Sequence, residues 1–395
     1  MTGKNNLLIV HRYFWPQNYP YATMLKDIAE VAAGNFNSVS IASTHHDYSE
    51  LATRQEWADS SGFELHSFKM QSEKGMSLFG KIVSMLKYCI WLCLTLLQSR
   101  PDVVMVATTP PILTAFLVRC VSKIKGFSYI YHCQDIHPEA SRRSLIGKVP
   151  FLYQFLRYID NANVKHAKKV IVLSSDMKKT LIRRGASANN IHVINNFVYQ
   201  QNEGRKNSAG NNSDEIIRFV FAGTLGRLQN LPFLFELIKE YKTSKNIEFH
   251  ILGDGLLKAE LESAIESTAQ SNVIFYGQVP LESALERMSE CDIGIVSLAE
   301  EIIQVAYPSK TMMYLSNGLS VLALVEQDSE LVDFLEKNKL GIAVSNTSHQ
   351  QALNKLNEFL NTFTKDEKRR EAIKRKADEE FGKKMILSRF REVIQ

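Results

Sequence analysis

Short apolar runs alternate with longer stretches of helical periodicity along almost the whole chain. Leu7–Val10 is such a run. Behind it, Ala22–Ala33 repeats apolar residues at Met24, Leu25, Ile28, Ala29 and Ala32, the spacing of one helix face. Val39–Ala42, Val103–Ala107, Ser128–His132, Val170–Ser174 and Ile191–Ile194 read as further strands, and Phe63–Phe68 alternates as another. Ser174-Ser175-Asp176 supplies start signals for a helix reaching Arg184. The pattern then stops. Residues 200–214 (QQNEGRKNSAGNNSD) are polar and aperiodic, the composition of a linker. It restarts with strands at Ile216–Ala222, Ile247–Leu252, Val273–Tyr276, Ile293–Ser297 and Val321–Val325. Helices are expected between them at Leu256–Thr268, Leu281–Glu290 and Ser309–Ser316. Strands alternating with helices predict right-handed crossovers and parallel sheets. The expectation is α/β: two doubly wound, Rossmann-like domains, 1–199 and 215–395, joined by 200–214. The last helix is free to pack back on the first domain. Ligands of such sheets bind beyond the carboxyl ends of the strands.

Composition narrows this only a little. The chain has 395 residues, 45% hydrophobic and 23% charged, with a net charge of +5. That suits a phosphate-bearing ligand or an anionic surface, and no nucleic-acid partner is expected. Cys89, Cys93, Cys120, Cys133 and Cys291 show no paired or zinc-type spacing, which points to a reducing compartment. The first apolar run is too short for a signal-peptide core. Lys365–Lys384, dense in both charge signs, reads as a solvated helix with a few buried apolar residues, or alternatively as a segment that binds an anionic surface. Leu78–Leu97 is the most apolar stretch and reaches the ~20 residues needed to cross a bilayer. Lys81 and Lys87 oppose crossing. A helix lying on a membrane surface, its lysines at the headgroups, fits better; the alternative is an ordinary buried helix of the first domain.

The chemistry concentrates in turns that follow strands. In the second half, strand IIRFVFAG runs into T-L-G-R-L-Q-N-L-P. Gly223 and Gly226 would let the backbone approach a phosphate at a helix start, and Arg227 adds a cationic fork. Gly253-Asp254-Gly255 and Gly277 repeat the theme after the next two strands. Further on, Pro308 opens a helix whose first turn holds Ser309, Lys310 and Thr311. A lysine there opposes the helix dipole, so it suggests an anion nearby. In the first half, Asp135 follows strand Ser128–His132, and Glu139 comes four residues later. Either carboxylate could accept or orient a hydroxyl proton, or simply cap a helix. His132 reads as packed within the strand, and His137 as a candidate contact.

The second half resembles the nucleotide-binding domain of retaining glycosyltransferases of the GT-B fold, family 4. The branch it is most similar to acts in bacterial O-antigen and exopolysaccharide assembly. The resemblance is carried by G-x-L-G-x-x-Q-x-L (Gly223 to Leu231), G-D-G (Gly253 to Gly255), Y-G-x-V (Tyr276 to Val279) and P-S-K-x-x-x-Y-x-x-x-G (Pro308 to Gly318). In the first half, Gln134 to Glu139 resembles that branch's Q-D-x-x-P-E segment.

The resemblance implies two domains facing a cleft. It implies a nucleotide-diphosphate-sugar donor held by Gly223, Thr224, Gly226, Arg227, Gln229, Asn230, Gly253, Gly277, Val279, Pro308, Ser309, Lys310 and Thr311. It further implies an acceptor near Asn18, Tyr19, Tyr21 and His137, with Asp135 and Glu139 as the catalytic carboxylates. Retention of configuration, a hexosyl or N-acetylhexosaminyl group and a lipid-linked glycan acceptor go with that reading. So does a cytoplasmic protein peripheral on the inner membrane face, as part of lipopolysaccharide or exopolysaccharide synthesis. No cofactor is expected. No Asp-x-Asp motif appears where a metal-dependent transferase would need one, so metal independence is expected too.

The chain departs from the wider family at Thr224 and Gln229, where many members carry Arg and Lys. It departs again at Met313, in place of a glutamate, and at Asn18-Tyr19-Pro20-Tyr21, in place of a glycine pair. Those departures leave two alternatives: a sugar-nucleotide 2-epimerase on the same fold, and a non-catalytic scaffold for glycan assembly.

Overall fold

The computed structural model describes residues 5–17, 19–72, 75–142, 145–198 and 215–395. Asn18 and the linker expected at 200–214 lie outside them. The chain divides into two compact units, Met1–Asn196 with Lys384–Gln395, and Phe197–Lys383.

The first unit is a seven-stranded sheet of β1 (Asn6–Val10), β2 (Ser38–His45), β3 (Glu64–Lys69), β4 (Val103–Ala107), β5 (Ser128–Cys133), β6 (Lys169–Val172) and β7 (Ile191–Val193). Their order is β3-β2-β1-β4-β5-β6-β7. Every pairing is parallel. β4, VVMVA, is buried at each position, as a strand covered on both faces must be. The crossovers are α1 (Pro20–Ala32), α2 (Tyr48–Ser61), α3 (Leu78–Gln98), α4 (Leu113–Lys125) and α5 (Pro150–His166); α6 (Ser175–Arg183) leads to β7. α1 buries the five apolar residues its periodicity picks out, and Pro20 occupies its first turn. The Ser174 hydroxyl caps α6 by accepting from Met177 N at 3.2 Å.

The second unit is a six-stranded sheet of β8 (Ile217–Ala222), β9 (Ile247–Leu252), β10 (Val273–Gly277), β11 (Ile293–Ser297), β12 (Ser320–Leu324) and β13 (Gly341–Val344). Their order is β10-β9-β8-β11-β12-β13, again all parallel. Its helices are α7 (Leu231–Lys239), α8 (Lys258–Glu266), α9 (Leu281–Ser289), α10 (Ser309–Ser316), α11 (Glu330–Lys337), α12 (His349–Thr362) and α13 (Glu367–Phe381). Strand alternation separates two cores. Phe219 and Phe221 of β8 enter one with Phe235 and Phe249. Val220 and Ala222 enter the other with Tyr314 and Val321.

Two expectations need correction. The single helix expected over Lys365–Lys384 is broken. α13 ends at Phe381, and α14 (Lys383–Val393) starts after Gly382, whose backbone is extended. A Cβ on Gly382 would lie 2.3 Å from the Asp378 carbonyl, so the break needs glycine. α14 packs in the first unit: Ile386 and Phe390 are buried, and Lys169 donates to the Val393 carbonyl at 2.6 Å. Second, Leu78–Leu97 is not a wholly buried helix. α3 is long and apolar enough to cross a membrane, yet it returns the chain between two strands of one sheet. It buries only Tyr88, Leu92, Thr95 and Leu96.

Candidate active site

Both sheets reverse their winding at one place, β1/β4 in the first unit and β8/β11 in the second. The splayed loops at such a switch point leave a crevice beyond the strand ends. The candidate residues cluster at these two places.

In the second unit three glycine turns pack directly on one another. Gly223 N donates to the Leu252 carbonyl at 2.8 Å, Gly253 N to the Gly277 carbonyl at 2.7 Å, and Leu225 N to the Asp254 carbonyl at 2.9 Å. The glycine at 253 has a cause beyond open access for a ligand. Its φ is +143°, and a Cβ there would lie 1.9 Å from the Gly223 carbonyl. Part of the glycine repeat is thus a packing requirement that holds the turns in register.

Lys310 is drawn across the first of these turns. Its Nζ sits 3.7 Å from the centre of the Phe221 ring, and a Cβ on Gly223 would lie 2.7 Å from it. Among the described residues no carboxylate pairs with it. Burial pulls its pKa down from 10.5 to about 7. A desolvated amine with no carboxylate partner, beside a glycine turn, has the chemistry to hold an anion. Arg227 stands exposed in the same turn and pairs with no carboxylate among the described residues. The helix carrying Lys310 is fixed from behind. The Tyr314 hydroxyl accepts from Ala222 N at 2.8 Å, and the Tyr314 ring lies where any side chain on Gly294 would collide. Gly294 and Asn346 were not singled out in the sequence, and Tyr314 appeared only as the tyrosine of the P-S-K motif.

The remaining donor candidates fall into two groups. Thr224 and Ser309 are exposed, Gly226, Gln229, Val279 and Pro308 half-buried. Thr311 is fully buried and its hydroxyl has no partner among the described residues, so it faces the interior rather than the turn surface. Asn230 adopts a left-handed backbone, φ +45°, and donates to the Asn346 carbonyl at 2.9 Å. Asn346 in turn donates to the Leu298 carbonyl at 3.2 Å. This side chain ties the turns after β8, β11 and β13 together.

In the first unit β1, β5 and the start of α1 converge. His132 is fully buried on β5. Gln134 Nε2 donates to its Nε2 at 2.8 Å, leaving Nδ1 to meet the Tyr21 hydroxyl at 2.7 Å. Burial holds His132 near a pKa of about 3 and His11, edge-on to Tyr21, near about 4, so both are neutral. Tyr21 therefore directs its hydroxyl inward. Tyr19 is exposed and stacks on Tyr13 with ring centres 4.2 Å apart, an aromatic surface at the mouth of this region. Asp135 follows directly. No hydrogen bond occupies its carboxylate among the described residues, and burial pushes its pKa up to about 6. His137 meets the Ser141 hydroxyl at 3.1 Å and is held near a pKa of about 4, by burial first and Arg184 second.

Glu139 is differently placed. It pairs with Arg157 and with Arg184, each at 3.3 Å, and Arg184 also holds buried Asp160 at 2.7 Å. Both of its carboxylate oxygens are taken up in ion pairs. Of the two candidates, Asp135 has the free lone pairs. Among the described residues no cluster of three or more His, Cys, Asp or Glu could hold a metal ion.

Residues 23–196 match the model of a glycosyl transferase 4-like domain, and residues 217–362 that of glycosyl transferases group 1. The probable glycosyltransferase WbjE of Pseudomonas aeruginosa is 24% identical over 257 residues; the match spans 63% of this chain and 63% of that protein's length. Among solved structures, Anabaena Alr3699/HepE in complex with UDP and glucose aligns over 99% of each chain, with a TM-score of 0.69 and 14% identity. The apo lipopolysaccharide outer core galactosyltransferase WaaB aligns over 98% of this chain and 99% of its own, with a TM-score of 0.66 and 15% identity. At such identities the two structures speak for the fold.

Proposed function

We propose that this chain, which has the GT-B fold, is a glycosyltransferase that moves a hexosyl or N-acetylhexosaminyl group from a nucleoside diphosphate to a hydroxyl of a lipid-linked glycan. The sugar keeps its anomeric configuration, and the product feeds a bacterial cell-surface polysaccharide such as O-antigen or exopolysaccharide. The observation that carries this reading is Lys310, half-buried over the Gly223 turn at the β8/β11 switch point, with no carboxylate partner among the described residues. HepE, with UDP in its solved complex, makes a uridine diphosphate sugar the first donor to try. WaaB, named for lipopolysaccharide outer core synthesis, supports the polysaccharide assignment.

The residues divide the chemistry. Lys310 and Arg227 neutralise the diphosphate as the bond from the sugar to its phosphate oxygen breaks. Asp135, ionised above about pH 6, accepts a hydrogen bond from the acceptor hydroxyl and takes its proton as that oxygen bonds to the anomeric carbon on the face the diphosphate leaves, so configuration is kept. Tyr13 and Tyr19 offer an aromatic face to an acceptor sugar ring. No metal ion enters this scheme, and the protein works at the inner face of the cytoplasmic membrane. A thermal-shift panel of nucleotide sugars tests the reading, because a ligand that binds the folded state raises Tm by mass action. We expect uridine diphosphate sugars to raise it, and transfer to follow with the same sugar. A panel with no stabilising nucleotide sugar would contradict the donor assignment.

A further inference from the structure

The second unit holds a cavity that its candidate site does not use. It lies between α13 and the turn from α11 into β13, and its volume is about 490 Å³. Leu340 lines it and immediately precedes β13. Every pairing in this sheet is parallel, and the glycine turns lie beyond the carboxyl ends of its strands. The cavity therefore stands at the opposite end of the sheet from those turns.

Its charge is uneven. Lys339, Arg369, Arg375 and Lys376 line it against one carboxylate, Glu379. Lys376 is already engaged, with Glu379 at 3.4 Å and Glu380 at 2.9 Å. Lys339, Arg369 and Arg375 make no ion pair with a carboxylate among the described residues. Arg369 is held in place by two rings: its guanidinium carbon lies 5.8 Å from the centre of Phe359 and 5.1 Å from that of Phe363. Burial lowers its pKa, with a smaller opposing pull from Asp366. Its Nε is buried and has no hydrogen-bond partner among the described residues. A guanidinium that has lost part of its water keeps a planar fork that matches a phosphate. Lys339 stands in a left-handed backbone, φ +55°, where a helix end ordinarily carries glycine. A strained position that keeps a long cationic side chain points to use of that side chain.

We propose that this cavity binds a small phosphate-bearing anion through Lys339, Arg369 and Arg375, as a site separate from the donor turns. Its volume falls in the range of small-molecule sites, roughly 300–1,000 Å³. Its concave shape favours a small anion over an acidic protein segment or a flat charged surface, because the cations line one hollow. The inference stands apart from the transferase reading, since none of these residues belongs to the donor or acceptor regions.

The test is calorimetric titration of inorganic pyrophosphate into the full chain. Pyrophosphate also resembles a donor diphosphate, so the titration is run in the Lys310→Met background, where we expect one saturable site. Lys339→Gly with Arg375→Gln should weaken it about tenfold, the scale of lost charged hydrogen bonds, and Arg369→Gln by a similar factor. Both side chains of the first pair are exposed, and glycine suits the backbone at 339, so the Tm of that pair should hold or rise. That pair carries the test if Arg369→Gln lowers Tm. With Lys310 intact, uridine diphosphate affinity should be the same in the cavity variants as in the parent. Absence of pyrophosphate binding in the Lys310→Met background would overturn the proposal, as would binding that survives Lys339→Gly with Arg375→Gln. So would a saturable site for polyglutamate with none for pyrophosphate, which would make the cavity a protein contact. Failure of uridine diphosphate to bind the parent would count against the donor assignment alone.

Discussion

The two strand-end regions handle charge in opposite ways. In the second unit the candidate site is mostly backbone: glycine turns after β8, β9 and β10, with Lys310 drawn over the first. In the first unit it is built from side chains. Neutral histidines and a tyrosine line the end of β5, and among the described residues the Asp135 carboxylate is left without a hydrogen bond. Burial acts on both. It lowers the pKa of Lys310 and raises that of Asp135, so each group is held nearer its neutral form than it would be in water. What differs is the remedy. An ammonium without a counter-ion is completed by an anion, and a desolvated carboxylate by a proton. The first suits a diphosphate and the second a hydroxyl that must lose its proton.

The largest expected effect tests the carboxylate. Asp135→Asn should keep folding and donor binding but reduce transfer by ~10²-fold or more, the scale of a lost proton acceptor. A residue that only caps a helix would tolerate Asn, since Asn and Asp cap about equally. Near-normal transfer by this variant would remove Asp135 from catalysis and return attention to Glu139.

Next comes the lysine. Lys310→Ala should weaken donor binding by ~1.5–3 kcal/mol, the value of a charged hydrogen bond. Arg227→Ala should cost less, ~0.5–1.5 kcal/mol, because the exposed guanidinium is well solvated in the free protein. Equal affinity in the Lys310 variant and the parent, by calorimetry, would remove the proposed clamp.

A smaller effect has the opposite sign. Lys310→Met should raise the Tm of the ligand-free chain by a few degrees at pH 6 to 7. The folded pKa of about 7 lies below the unfolded value, so folding is penalised below pH 7, where the lysine is charged in both states. That penalty fades as pH rises toward 10, and the gain of the variant should fade with it. A gain that does not change with pH would point to packing instead. The smallest expected effect is none: transfer should survive excess EDTA. Loss on chelation, with rescue by magnesium or manganese, would show that the cations on the chain are not sufficient.

The same contrast explains what could be read in advance. Buried parallel strands are continuous apolar runs, so most of both sheets stood out. The donor turns were visible because each is contiguous and follows its strand at once. The first-unit site was not. Tyr21 and His132, 111 positions apart, meet only after the sheet forms, and nothing in the local sequence says that Glu139 will be absorbed by Arg157 and Arg184. α2 escaped for a related reason. Its buried residues are Arg54, Trp57 and Ala58, and no apolar periodicity flags an arginine whose guanidinium donates to the Phe14, Trp15 and Thr44 carbonyls. Gly382 shows the limit for a single residue: within a charged helical stretch it looks tolerable, yet it sets the break that sends α14 back to the first unit.

The central claim is that a donor diphosphate completes the charge of Lys310. Titrating uridine diphosphate into the chain at pH 8, in buffers of different ionisation enthalpy, measures the protons exchanged on binding. With a free pKa of about 7, Lys310 is mostly neutral at that pH and must be charged to hold the anion. We expect uptake of about one proton per nucleotide in the parent and about none in Lys310→Met. Binding without proton uptake, or the same uptake in both proteins, would contradict it.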